Sequence, residues 1–135
     1  MSRSGYDDGG DFDNWSHIRW RGQVTSSIRG KRGQDFLRAL LEALDALPEK
    51  RLITGDLEAD GQVCTIGALG RQRGMDMSKL DPEDIWNVAD AFGIASPLAR
   101  EIVFLNDEAV WNETPEQRWV RMRRDVASMI KEPSA

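Results

Sequence analysis

The sequence predicts an all-α protein, a compact bundle of five to six short helices behind a flexible N-terminal tail, and two observations carry that prediction. Apolar residues recur at steps of three and four along several segments, most clearly at Phe36, Leu37, Leu40, Leu41, Leu44 and Leu47. Three helix starts are marked by a capping residue followed by proline: Asp81–Pro82, Ser96–Pro97 and Thr114–Pro115. A strand competes with a helix at one place, "QVCTIG" (62–67), where Val63, Thr65 and Ile66 suit a pleated surface.

Taken in order, residues 1–13 are Gly-, Asp- and Ser-rich with little to bury, which reads as a flexible tail. A first helix is expected from Asn14 or Trp15, with Trp15, Ile18, Val24 and Ile28 near one face and Gly22 weakening its middle. "GKRG" (30–33) reads as a break, because two glycines cost helix stability and permit a turn. The leucine-rich segment 35–47 is an amphipathic helix that Pro48 stops. In "QVCTIGALGRQR" (62–73) the small residues Gly67, Ala68 and Gly70 would let a neighbouring helix approach closely, if the segment is helical. Asp81 is the expected N-cap of the next helix, with Pro82 at its first position and its end at Gly93; Ser96 and Pro97 repeat the device. Thr114, Pro115 and Gln117 form a capping box, followed by an apolar stripe of Trp119, Met122, Val126, Met129 and Ile130, with Arg118, Arg121 and Arg124 beyond it. The chain thus reads as one helical domain over 14–131, with a C-terminal tail over 132–135.

At 135 residues the chain suits one domain with a modest core. No apolar run approaches the ~20 residues that cross a bilayer, so no membrane association is expected. The N-terminus carries acids where a secretory signal needs a basic start and an apolar stretch, which leaves the cytoplasm as the expected compartment. Cys64 is the lone cysteine and reads as a small buried side chain. The net charge of −5 is unevenly spread: residues 1–33 hold six basic and four acidic side chains, residues 34–113 seven and sixteen, and residues 114–135 five and three. Such a field repels phosphate from the middle and tolerates it near the ends.

Candidate sites follow from that distribution. "VADAFGIASPLAREIVF" (88–104) has the spacing of a helix-turn-helix, with Ala89, Gly93, Ile94, Ala99 and Ile102 at the small, corner and anchor positions. Its second helix offers Arg100 beside Glu101, then Asn106, Asp107 and Glu108, so a packing corner is the simpler reading. The basic cluster Arg19, Arg21, Arg29, Lys31 and Arg32 is interleaved with Trp15 and Trp20 and suits either phosphate or an acidic partner protein, with a solvated helix face as the plain alternative. Of the five tryptophans, Trp20 falls off the apolar stripe of its helix and Trp111 lies in the loop "NDEAVWNETP"; both are expected at an interface, where Trp and Arg concentrate binding energy. Catalytic signals are poor. His17 has no second histidine for a metal site, "GALGRQRG" (67–74) lacks the endings of a phosphate loop, and "GDLEAD" would need ligands from elsewhere to hold a cation. Neither a metal nor a cofactor is expected.

Read together, "IRWRGQVTSSIRGKRGQDFLRALLEALDALPEKRLI", "DGQVCTIGALGRQRGMDM", "LDPEDIWNVADAFGIA", "LAREIVFLND" and "TPEQRWVRMR" resemble a group of small proteins carried by temperate bacteriophages and prophages, over residues 14 to about 125. The resemblance implies a phage accessory protein acting in the host cytoplasm, and it carries no functional residues across. The expected function is non-enzymatic binding to a host protein or defence complex, as an inhibitor of a bacterial defence system. Trp20, Arg21, Arg29, Lys31, Arg32 and Trp111 are the expected contacts. A DNA- or RNA-binding regulator using the 88–104 corner or the basic cluster is the alternative, and a small-molecule or nucleotide-binding protein centred on 67–74 the second.

Overall fold

In the computed structural model, which describes Arg3 and residues 14–131, the chain folds into six helices and one small hairpin. The helices are α1 (Asn14–Arg29), α2 (Lys31–Ala46), α3 (Thr65–Gln72), α4 (Ile85–Phe92), α5 (Ser96–Asp107) and α6 (Pro115–Met129). Strands β1 (Glu58–Ala59) and β2 (Gln62–Val63) pair antiparallel. The expected all-α bundle is therefore present. The tails expected at 1–13 and 132–135 lie, Arg3 apart, outside the described residues.

Two helices organise the packing. On α2 the predicted stripe buries Phe36, Leu37, Leu40, Ala43 and Leu44 against α1, α3 and α6. On α5, Leu98, Ala99, Ile102 and Val103 are buried as that helix packs against α1, α3, α4 and α6. A helix gripped on so many sides keeps no long free face.

The structure corrects several expected boundaries. The break at 30–33 shrinks to Gly30, whose extended backbone (φ −67°, ψ 159°) precedes α2. Gly33 lies inside α2 for another reason: a Cβ there would collide with the backbone carbonyl of Ser27, so α1 crosses α2 on a bare hydrogen. Lys31 and Arg32 consequently fall in the first turn of α2. Segment 62–73 is both strand and helix, changing at Cys64, whose sulfur caps α3 by accepting from the Gly67 N–H at 3.4 Å. Added Cβ atoms at Gly67 and Gly70 would strike the Leu57 carbonyl and the Met77 side chain respectively, so these glycines do permit close approach. Asp84 rather than Asp81 caps α4, because the buried stripe Ile85, Val88, Ala89 and Phe92 starts only there; Asp81 instead accepts from the Glu83 N–H at 2.9 Å. Ala95 holds the cap position of α5, one residue before the expected Ser96. The Thr114 capping box forms as predicted. Arg121, expected beyond the stripe, is buried.

Polar side chains tie the elements at two points. Asn106 is buried and fully engaged: its Oδ1 accepts from the Thr65 N–H (3.1 Å) and hydroxyl (2.7 Å), and its Nδ2 donates to the Ile53 carbonyl (2.9 Å) and the Asp107 carboxylate (2.8 Å). Gln34 donates to the carbonyls of Ile28 (2.7 Å) and Met129 (3.0 Å) and accepts from the Lys131 N–H (2.8 Å), joining α1, α2 and the end of α6.

Two stability predictions follow from these contacts. Asn106→Ala leaves a buried amide and hydroxyl without an acceptor and should cost about 2–4 kcal/mol, read as a lower urea midpoint at unchanged slope. The glycines of α1 and α2 should behave oppositely. An added Cβ at Gly22 meets nothing within 4 Å, so Gly22→Ala should gain about 0.5–1 kcal/mol from helix propensity. Gly33→Ala should instead lose more than about 1 kcal/mol by overpacking, both read by thermal unfolding.

Candidate functional site

Helices α1 and α5 lie antiparallel. Trp20 and Arg21 meet Arg100 and Glu101, while further along α1, Ser26, Ser27 and Gly30 share a groove with Ala95 and Leu98. This seam and the corner where α1 turns into α2 collect most of the predicted contact residues.

At the corner Arg29, Lys31 and Arg32 are all exposed. Lys31 reaches Asp35 at 2.8 Å, four residues on, and that hydrogen bond holds the Asp35 carboxyl below its ordinary range. No described carboxylate lies within ion-pair reach of Arg29 or Arg32. The placement of Lys31 and Arg32 is also electrostatically adverse. The first turn of a helix presents unpaired N–H groups and a partial positive charge, so each exposed cation there costs roughly 0.3–1 kcal/mol. Beside this turn runs a groove of about 270 Å³, lined by Ser26, Ser27, Arg32, Ala95 and Leu98 among others. The corner is therefore a concentration of positive charge in which Lys31 is paired with Asp35 while Arg29 and Arg32 have no ion-pair partner among the described residues.

Midway along the seam the chemistry changes. The Arg100 guanidinium sits 5.5 Å from the ring centre of Trp20 and 5.7 Å from that of Trp86. Trp20 is half-buried, whereas Trp86 is 64% exposed. Arg21 is partly committed within the fold, to Glu101 at 3.3 Å. Neither Trp86 nor Arg100 was among the expected contacts. Trp86 was nonetheless readable, because Ile85, Val88, Ala89 and Phe92 make a helical stripe that leaves it outside.

Trp111 stands apart. It is 84% exposed, beside the exposed Val110 and before Asn112, whose φ of 55° is unusual for a residue with a side chain. Its surroundings, a groove of about 490 Å³ that includes Phe104 and Asp107, lie at the C-terminal end of α5. The corner groove touches the other end of that helix at Ala95 and Leu98, so about 9 Å of helix separates the two at the usual rise. The structure thus groups Trp20 with Arg21, puts Arg29, Lys31 and Arg32 together further along, and leaves Trp111 on another surface.

The remaining candidates find structural uses. Among the described residues no group of three or more His, Cys, Asp or Glu side chains could hold a metal ion. The side chains of Trp15 and His17 lie outside the described residues. In segment 67–74 Gly67 and Gly70 serve packing, Gly74 takes a left-handed turn at φ 68°, and Arg71 donates to the Gly61 carbonyl at 2.7 Å. The corner between α4 and α5 has the expected shape, with Gly93 left-handed at φ 71°, but α5 is hemmed in by four helices and Asn106 points into the fold.

Under the Trp111 loop, Glu113 receives Arg121 at 2.7 Å and Arg118 at 3.4 Å, with only 5% of its side chain exposed. The hydrogen bond from Arg121 depresses the Glu113 carboxyl below its ordinary 4.5, despite the opposing effect of burial. A depressed folded value stabilises the protein above the unfolded value and is lost as pH falls through the folded one. Glu113→Gln should therefore cost about 1–3 kcal/mol at pH 7. Its urea midpoint should converge on that of the wild type as pH is taken below that range.

Comparison with protein-family models, with curated proteins and with solved structures finds no match to this chain.

Proposed function

We propose that this chain is a non-enzymatic binding protein that seats the α1–α2 corner against an acidic surface of a host bacterial protein, acting there as an inhibitor of a defence component. The corner carries this reading: Arg29 and Arg32 stand exposed with no acidic partner among the described residues, and Lys31 and Arg32 occupy the unfavourable end of α2. Cations kept where they cost stability suit a surface completed by an opposite charge from outside. The resemblance to phage and prophage proteins supports a host protein as the bearer of that charge. A nucleic acid fits the corner less well, since the exposed Asp35, one turn from Arg32 and paired with Lys31, sets a negative charge at its edge.

Charge reversal at the corner tests the reading. A protein retained from nuclease-treated host lysate by the wild type should bind the Arg29→Glu/Arg32→Glu variant at least about tenfold more weakly, while the exposed control Arg73→Glu keeps its affinity. Equal affinity of wild type and corner variant would defeat the proposal, and loss of binding on nuclease treatment would replace the protein partner by a nucleic acid.

A further inference from the structure

Arg100 is the only cation of α5, and among the described residues none accepts a hydrogen bond from it. The nearest acid in sequence, Glu101, turns instead to Arg21. Arg100 Nε is enclosed and unpaired, whereas its Nη groups are neither hydrogen-bonded nor among the enclosed atoms. A guanidinium carries most of its donors on those two groups. The ring centres of Trp20 from α1 and Trp86 from α4 lie 5.5 and 5.7 Å from its guanidinium carbon, so two indoles flank the planar fork while its Nη groups stay open.

We infer that Arg100, clamped by Trp20 and Trp86, is a preformed carboxylate receptor that takes one Asp or Glu side chain of a partner protein, whose flanking residues cover the exposed face of Trp86. A carboxylate matches the fork with two parallel N–H···O bonds, stronger than neutral ones and specific in direction. Because the side chain is already fixed, little rotamer freedom remains to be lost on binding. Trp and Arg held centrally beneath an exposed ring also make the composition typical of an interface hot spot.

The surrounding charge selects the occupant. Glu83, Asp84 and Asp90 on or before α4 are exposed, and Asp90 lies four residues from Trp86, on the same side of the helix. A nucleic-acid strand would carry repeated negative charge past these acids, whereas a protein segment can place one carboxylate on Arg100 and basic residues opposite Asp84 and Asp90. This inference rests on the binding-protein reading but uses side chains separate from the α1–α2 corner.

The test uses the whole chain and two synthetic peptides, acetyl-Lys-Leu-Glu-Leu-Lys-amide and its Gln counterpart, followed by NMR of the indole and Arg Nε–H signals. The Glu peptide should shift the signals of Trp86, Trp20 and Arg100, and the Gln peptide should bind at least about fivefold more weakly, as loss of a charge-assisted pair requires. Arg100→Gln should abolish the shift, Arg100→Lys should weaken binding because a point charge replaces the fork, and Trp86→Ala, at an exposed position, should weaken it without loss of fold. Arg29→Glu/Arg32→Glu should leave peptide binding intact, which separates this site from the corner. Equal binding of the two peptides, shifts confined to the corner, or displacement of the Glu peptide by a ten-residue oligothymidylate at the Trp86 signal would each overturn the inference.

Discussion

The absence of a side chain at Gly33 sets the course of α1. With only hydrogen between the Gly33 Cα and the Ser27 carbonyl, the two helices meet at van der Waals distance, and Gly30 alone makes the bend that joins them. That crossing lays α1 along α5. It follows that the stacking of Trp20 on Arg100, the Arg21–Glu101 pair and the exposed turn with Lys31 and Arg32 all descend from one close contact. A bulkier residue would move every one of them, because packed helices shift as rigid bodies rather than bending to fit.

The opposite end of α5 is fastened by polar chemistry instead. Asn106 satisfies both ends of its amide with groups from two other segments and from its own neighbour Asp107, which extends the network to Arg3, donating to its carboxylate at 2.6 and 2.7 Å. Buried polar clusters of this sort specify one arrangement, since an alternative would strand several donors at once. The buried face of α5 is thus mainly apolar, with Glu101 meeting α1 and Asn106 meeting α3 and the chain at Ile53 as its polar points, while Arg100 sits between the indoles of Trp20 and Trp86.

Much of the architecture was readable from local pattern. The leucine period of α2, the Thr114 capping box and the Gly93 stop depend on residues within one or two turns of each other, and all three appear where expected. The start of α4 was misplaced because Asp81 and Asp84 both offer a capping oxygen and proline follows the first; burial of Ile85 decides between them, and burial is tertiary. The hairpin had a local signal that was overlooked. Asp60 and Gly61 both take positive φ (52° and 78°), the pair of conformations that a two-residue turn between right-twisted strands requires. At the candidate site, Trp20 was visible as an indole off its stripe, and Arg29, Lys31 and Arg32 as a basic cluster. The Trp20–Arg100–Trp86 stack was not visible, since its members come from three helices and nothing in their spacing brings them together.

Cys64 carries the sole sulfur in this chain capable of forming a disulfide. It is buried at the start of α3, with Arg3 Nη1 resting 3.7 Å from it and the Gly67 amide on another side. Thiol exchange needs access for the attacking sulfur, and the Cys64 sulfur is enclosed, with a guanidinium anchored to Asp107 as one of its neighbours. A thiol enclosed in this way is suited to packing and to capping a helix rather than to exchange with a second molecule.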